Sequence, residues 1–364
     1  MKPYAFGIVG AGWRAEFFFR IAAALPERFR VAGVVTRDEE KGRGIERRWG
    51  WRTFRTAEAL LEASGEAEFV VASVSSAANY EVNRRLVELG VPLLSETPPA
   101  QTLEQMVALW ELAQRTGARV QVAEQFHRQP LHAARLAAIQ GGRIGRAHTA
   151  YVSVCHGYHG TSLIRRYLGL DCERVRVVGA GWTDRVLDPG GRNGPPAEPE
   201  VKALAQQMAL LEVEGADGGR RQAVFDFVGA QYFSPIRTQR VAIRGERGEI
   251  VDEMLYGYGE SGDPIGMPFR RVTAGANGNL EGMHLKGIQL GEEWVYRNGT
   301  APARLSDEEI AMAEMLAGMG AYVRGGEEVY ALREALQDHY LGLVIREACE
   351  AGEVRLAERQ VWAG

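Results

Sequence analysis

Residues 4–18, YAFGIVGAGWRAEFF, constrain the fold more than any other stretch of this chain. An apolar run leads straight into Gly10-x-Gly12-x-x-Ala15 and then into a helix-like stretch, so the sequence predicts strand, tight turn and helix in immediate succession. Each small residue has its own task in such a turn. Gly10 lets the chain reverse, Gly12 lets backbone N–H groups come close to a pyrophosphate, and Ala15 lets helix and strand pack closely with the helix N-terminus facing the anion. A lone triplet in a chain with 44 glycines is an ordinary turn; the apolar run before it and the helix signal after it make it a nicotinamide or flavin dinucleotide site.

From residue 4 to about 124, short β-branched runs alternate with amphipathic helical stretches. Strands are predicted at 4–9, 31–35, 69–74, 92–95 and 119–123, with helices at 15–25, 56–63, 78–89 and 103–115 between them. This alternation predicts an α/β fold that opens with a Rossmann domain and its parallel sheet, residues 1–124. After Gln125 the texture changes. A helix at 131–140 precedes strands at 147–155, 175–181, 209–214, 222–228 and 239–244, which predict a second α/β domain, residues 125–364, on a large and mostly antiparallel open sheet. Its closing helices, 307–323 and 328–350, are free to pack back on the first domain. Two glycine-rich stretches, 188–200 and 257–282, read as loops.

A length of 364 residues exceeds what one hydrophobic core usually serves. A net charge of −4, with arginines dispersed among acids, provides no electrostatic case for nucleic acid or an anionic membrane as partner. Cys155, Cys172 and Cys349 are an odd number without metal-ligand pairing, which argues against a disulfide framework and a zinc site and for a reducing compartment. No basic stretch with an apolar core precedes the first strand, and no apolar run approaches spanning length, so a cytoplasmic protein is expected.

The end of the second strand separates the two nicotinamide dinucleotides, because a carboxylate there accepts the ribose hydroxyls and repels a 2′-phosphate. Here it reads Val35-Thr36-Arg37-Asp38. A hydroxyl followed by a guanidinium suits a 2′-phosphate, and Arg37 is also able to lie over adenine, which favours NADP. If Arg37 is a solvated surface charge and Asp38 reaches the ribose, NAD is favoured instead. Arg14, inside the glycine turn, is either a phosphate contact or an exposed arginine at a helix start.

Residues 87–100, VELGVPLLSETPPA, end a strand in Glu96-Thr97-Pro98. With GAGWRA at 10–15, GGRIG at 141–145 and LQDHYLGLVIREACEAGEVRL at 336–356, the chain resembles the glucose-fructose oxidoreductase, inositol dehydrogenase and rhizopine-catabolism (Gfo/Idh/MocA) family over most of its length. The resemblance implies a Rossmann domain followed by an open-sheet substrate and oligomerisation domain, assembled as a homodimer or homotetramer through sheet faces. It further implies NAD(P)-dependent hydride transfer to or from a hydroxyl of a sugar, inositol or glycoside. It places Gly10, Gly12, Trp13, Arg14, Ala15, Thr36, Arg37, Ser75, Asn79, Glu96, Thr97, Pro98 and Gln125 at the cofactor. Thr97, His127, Arg128, His156, His159, Trp182 and Arg185 fall on the substrate side.

The departures from the pattern are as informative as the matches. Thr97 stands where the family has a lysine that orients nicotinamide and substrate, and it cannot replace that charge. Cys155 and Ser162 occupy two carboxylate places of a later signature, while His159 keeps the histidine place ten residues before Gly169. Asn79 replaces a histidine after the third strand.

Removing hydride from an alcohol also requires a base for the hydroxyl proton, and histidine is the usual choice. His159 is the first candidate, with His156 and Tyr158 beside it; the bland account makes the histidines polar residues at a strand-to-helix turn, one of them capping, and Tyr158 a half-buried packing residue in a strand. Three ligands crowded into residues 155–159 make a poor metal site, so none is expected. Glu96 is expected to be structural, Pro98 to fix the chain after a cis peptide, and Arg128 to be either a binder or an interdomain ion pair. Trp182, Asp184 and Arg185 combine an aromatic face with polar groups suited to a sugar. Two further readings stay open: redox-neutral glycoside cleavage through transient oxidation of a hydroxyl, and a non-catalytic dinucleotide and sugar sensor.

Overall fold

The computed structural model describes residues 2–198, 200–215, 218–259, 261–276 and 279–364. They cluster into two compact units, the first drawing on Met1–Pro130, Arg271–Gly287 and Arg297–Leu336, and the second on Leu131–Arg270, Ile288–Tyr296 and Gln337–Gly364.

The first unit opens β1 (Tyr4–Val9), α1 (Ala15–Ala24), β2 (Phe29–Val35), α2 (Glu39–Trp49), β3 (Thr53–Phe54) and α3 (Ala57–Ser64). It continues β4 (Phe69–Ala72), α4 (Ser76–Glu88), β5 (Leu93–Ser95), α5 (Leu103–Thr116) and β6 (Val120–Val122). The strands run parallel in the order β3-β2-β1-β4-β5-β6, so the chain reverses its winding at β1, where an open α/β sheet presents its ligand crevice. The sequence reading passed over α2 and β3. Residues 39–49 are mostly charged, so α2 shows little apolar face; its signals are the Asp38 cap, which accepts N–H bonds from Glu40 and Lys41, and left-handed Gly50 at its end.

Phe6, Ile8, Phe18, Phe19, Phe29 and Phe69 fill the core of this unit, each excluded from water, at roughly 1.5–3 kcal/mol apiece. Met312, Leu316 and Met319 of α8 (Asp307–Val323) complete that core. Ser306 and Glu309 form a reciprocal capping box that starts α8.

The second unit contains α6 (Pro130–Gln140), β7 (Ala147–Ser153), α7 (Gly157–Leu168), β8 (Val175–Leu187), β9 (Val201–Glu214) and β10 (Arg220–Val228). Next come β11 (Arg240–Gly245), β12 (Gly248–Val251), β13 (Met254–Tyr258), β14 (Pro264–Ala276), β15 (Asn279–Leu290) and β16 (Glu293–Arg297). The chain closes with α9 (Leu332–Ala351) and β17 (Val354–Ala357). Among the described residues the larger sheet has the order β16-β15-β14-β13-β12-β11-β7-β10-β9-β8-β17. It is antiparallel in its described pairings except for β7 against β10. The mostly antiparallel open sheet read from the sequence is therefore present.

Three sequence expectations need correction here. Strands β8 and β9 extend well beyond the predicted 175–181 and 209–214, because thirteen paired positions from Val175↔Val213 to Leu187↔Val201 carry the hairpin through polar sequence. The stretch 257–282 is not one long loop: it holds the end of β13, all of β14 and the start of β15, while residues 260, 277 and 278 lie outside the described residues. Its prolines and glycines concealed the alternation of Ile265, Met267 and Phe269, the last of which is buried, and pairing with β13 supplies the register. Residue 158 lies in the first turn of α7, not in a strand. Residues 188–198 and 200 form a connection outside the strands, as read, with 199 outside the described residues.

Close approach sets the position of α9. A Cβ on Gly342 would lie 3.0 Å from the Tyr158 backbone nitrogen, and one on Gly179 would lie 2.6 Å from that of Cys349, so small residues let α9 rest directly on α7 and β8. Among the described residues no helix is long and apolar enough to cross a membrane.

Candidate functional site

In the first unit the glycine turn does what its residues allow. Gly10 has φ +122°, its N–H donates to Val35 O at 2.9 Å, and a Cβ there would lie 2.0 Å from Ser73 O, so any side chain is excluded. A Cβ on Gly12 would project into open space, which leaves its backbone approachable, and Ala15 is fully buried where α1 meets the sheet.

A cavity of about 840 Å³ opens over this turn. Gly10, Gly12, Trp13, Arg14, Thr36, Arg37 and Ser75, all placed at the cofactor by sequence, line it together. Lys41 and Arg55, which the sequence reading missed, line it too. Lys41 follows from α2, one turn beyond its cap, and Arg55 donates to Thr36 O at 2.9 Å from beyond β3. Asp38 also reaches the cavity; its Oδ1 accepts both α2 amides, and those bonds hold its pKa below the ordinary value. Buried Ser73 Oγ has no hydrogen-bond partner among the described residues. A glycine cradle, the Ser73 hydroxyl and four cations, Arg14, Arg37, Lys41 and Arg55, against the two acids Asp38 and Glu81, fit a dinucleotide in size and charge.

Asn79 is buried and does not line the cavity. Its Nδ2 donates to Glu96 O at 2.7 Å and Pro98 O at 2.8 Å, so it clamps the turn after β5, where Thr97–Pro98 is cis. Asn83, one turn further along α4, donates to Pro99 O at 2.9 Å and Ser95 Oγ at 2.8 Å. Asparagine amides serve this purpose because Pro98 and Pro99 bring carbonyl acceptors but no N–H to the turn.

Beneath the turn lies an acid network that the motifs did not announce. Arg14 Nη1 donates to Glu308 Oε1 at 2.6 Å, Gln125 Nε2 donates to the same oxygen at 3.1 Å, and Arg14 Nε is 3.8 Å from Glu96 Oε2. Burial pushes the Glu96 carboxyl up to about 7; Arg14 opposes the shift, while Glu308 and Glu124 add to it. A carboxyl whose folded pKa is raised holds its proton longer in the native state, so its contribution is complete below the unfolded value and is lost as pH rises through about 7. Glu96→Gln is therefore expected to remove a decline in thermal stability between about pH 4.5 and 7, worth up to roughly 3 kcal/mol. Melting curves across that range provide the check, and an identical decline in the variant would reject the assignment.

His127 and Arg128 lie in the short 3₁₀ turn after β6. His127 packs against Tyr330 at 5.1 Å between ring centroids, and Arg128 lies 3.7 Å from Glu314.

In the second unit, β7 runs through buried Cys155 into α7, whose N-cap position is His156. The rings of His156 and His159 are 5.1 Å apart, Tyr158 and His159 4.4 Å, and His156 and Tyr158 4.8 Å, so the three candidates from sequence form one cluster. His159 is buried at 3% exposure and His156 is partly exposed. Two residues missed by sequence reasoning join them: Tyr232, from the 3₁₀ turn after β10, and His339 of α9, 5.6 Å from Tyr158. His339 was visible within LQDHY, whereas nothing near Tyr232 in the chain marks it. Trp182 and Arg185 are instead both exposed along β8, on opposite faces of the strand and outside this cluster, because β8 runs on to Leu187. Among the described residues no group of three or more His, Cys, Asp or Glu could hold a metal ion.

Residues 4–124 match the model of an oxidoreductase family with an NAD-binding Rossmann fold. No curated protein matches the chain. Among solved structures, an oxidoreductase from Agrobacterium radiobacter, in complex with NAD+, L-tartaric acid and magnesium, is 16% identical with a TM-score of 0.67, covering 97% of this chain and 98% of that one. An NAD-binding oxidoreductase from Klebsiella pneumoniae is 14% identical at TM-score 0.67, covering 98% and 100%. The WlbA dehydrogenase of Chromobacterium violaceum, in complex with NADH and UDP-GlcNAcA, is 16% identical at TM-score 0.61, covering 97% and 96%. These likenesses establish the shared fold.

Proposed function

We propose that this chain is a member of the Gfo/Idh/MocA oxidoreductase family, whose NAD-binding Rossmann model residues 4–124 match, and that it is an NADP-preferring dehydrogenase or reductase acting on a hydroxyl of a sugar, inositol or glycoside. The observation that carries this reading is the cavity over Gly10 and Gly12, lined by Arg37, Lys41 and Arg55 while Asp38 is engaged by backbone amides. The α2 amides take one oxygen of the Asp38 carboxylate, and three cations suit a 2′-phosphate.

When bound, the nicotinamide supplies the hydride donor or acceptor. The chain's own part is the proton. His159 takes it from the reacting hydroxyl, held between Tyr158 and His156, and the absence of a lysine at Thr97 leaves this cluster as the source of acid–base chemistry. Relatives of the same fold are bound to L-tartaric acid and to UDP-GlcNAcA, both rich in hydroxyls, which supports a polyhydroxylated substrate.

The test mixes protein with NADP or NAD and a panel of sugars, inositols and glycosides while reduced-nicotinamide absorbance is followed. Growth with one compound is expected; a flat trace despite cofactor binding and glycoside cleavage would replace this reading with redox-neutral cleavage. A flat trace with no product would replace it with a sensor. For the cofactor, the double variant Arg37→Ala/Lys41→Ala is expected to weaken NADP roughly 10–100-fold and NAD by less than about threefold. Equal losses for both, measured by titration calorimetry, would overturn the NADP preference.

A further inference from the structure

Tyr232 Oη lies 3.0 Å from the main-chain nitrogen of His156 and 2.5 Å from Nδ1 of the same residue. A main-chain N–H can only donate, so it engages the phenolic oxygen as acceptor and leaves that oxygen one lone pair and its own proton; the short contact to Nδ1 takes one of the two, and in the proposed arrangement it takes the phenol proton. An imidazole that accepts at Nδ1 carries its own proton on Nε2. The grip is built rather than incidental. Tyr232 ends a 3₁₀ turn that Gln231 pins, accepting from Val228 N at 3.0 Å and donating to Ser153 Oγ at 2.9 Å, and its ring packs on Phe227 at 5.1 Å.

We propose that Tyr232 is a positioning residue that locks His156 in the Nε2–H tautomer, so that His156 offers a neutral N–H donor to an oxygen of the substrate. The ligand class is a hydroxyl, ketone or alkoxide-like oxygen, and this role rests on the dehydrogenase reading above. Among the described residues the rings facing His156 are Tyr158 and His159 on α7, Phe227 on β10 and Tyr232, none of them a carboxylate. Burial, reinforced by His159, lowers the His156 pKa to about 3, so the ring stays neutral where most enzymes work. The cluster thereby divides its labour. His159 accepts the proton, and His156 donates a hydrogen bond that strengthens as negative charge grows on the oxygen.

The experiment records ¹H–¹⁵N spectra of histidine-labelled full-length protein without substrate, the His156 signals being those lost in His156→Gln. The Nε2–H tautomer, unchanged across roughly pH 5–8, is expected for the native protein. Tyr232→Phe keeps the ring against Phe227 and is expected to give mixed tautomers and about a tenfold loss in kcat/KM. A native Nδ1–H tautomer, or a Tyr232→Phe spectrum that matches the native one, would overturn the proposal. Because the spectrum is read without substrate, a protein inactive on every alcohol would reject the dehydrogenase reading while the tautomer result stood on its own.

Discussion

His159→Ala is expected to lower kcat by roughly 10²–10⁴ while cofactor affinity stays within about twofold, because in the proposed reaction the residue serves the proton and not the dinucleotide. The argument begins at β7, which delivers the chain through buried Cys155 to the start of α7. Helical spacing then sets His159 one turn in, where its amide bonds to His156 O at 3.1 Å and its ring meets those of Tyr158 and His156. An imidazole there can accept a proton; an alanine cannot, and no lysine at residue 97 stands in. His159→Gln preserves bulk and hydrogen bonding and should be equally inactive, which separates chemistry from packing. Steady-state rates with fluorescence titration of the reduced cofactor decide the matter: retention of the native rate by either variant would remove His159 from the reaction.

Asp338→Ala is expected to cost about 3–5 kcal/mol, the largest stability loss of any single change considered, and to lower the melting temperature of the second unit by roughly 6–20 °C. Arg165 Nη1 meets Asp338 Oδ1 at 2.6 Å, with side-chain exposures of 3% and 2%. Arg165 also donates to Asp171 O at 3.0 Å, and Thr161 Oγ1 donates to Asp338 O at 2.7 Å. Removing the carboxylate leaves a guanidinium in a dry interior between α7 and α9 without the charge that offsets most of its desolvation. The double variant Asp338→Leu/Arg165→Met should recover most of the loss, since an apolar pair of similar volume is often neutral there. Calorimetry that finds the single variant within about 1 kcal/mol of native would contradict this account. The ion pair holds the helix that carries His159, so any residual activity of the single variant should fall more steeply with temperature than that of the native protein.

The sequence determined whatever depends on neighbours in the chain. Gly10, Gly12 and Ala15 specify a turn within six residues, Asp38 caps the helix that begins one residue later, and β1, β2, β4, β5 and β6 announce themselves as apolar runs, so the parallel-sheet frame of the Rossmann half and its glycine turn are legible in the sequence. His156, Tyr158 and His159 cluster because they share one turn of one helix.

Tertiary structure decided what depends on residues far apart in sequence. Arg55 reaches the cavity only because β3 pairs with β2, and Glu308 meets Arg14 only because α8 returns to a core opened almost 300 residues earlier. Asn79 proved to be a clamp rather than a lining residue because the strand–turn geometry turns its amide inward. Tyr232 and His339 join the histidines from two other elements, and the glycine- and proline-rich β14 is a strand because β13 supplies its pairing. Local sequence specifies backbone conformation through sterics and capping, whereas the proton on His156 and the charge on Glu96 depend on groups that only folding brings within hydrogen-bond or Coulomb range.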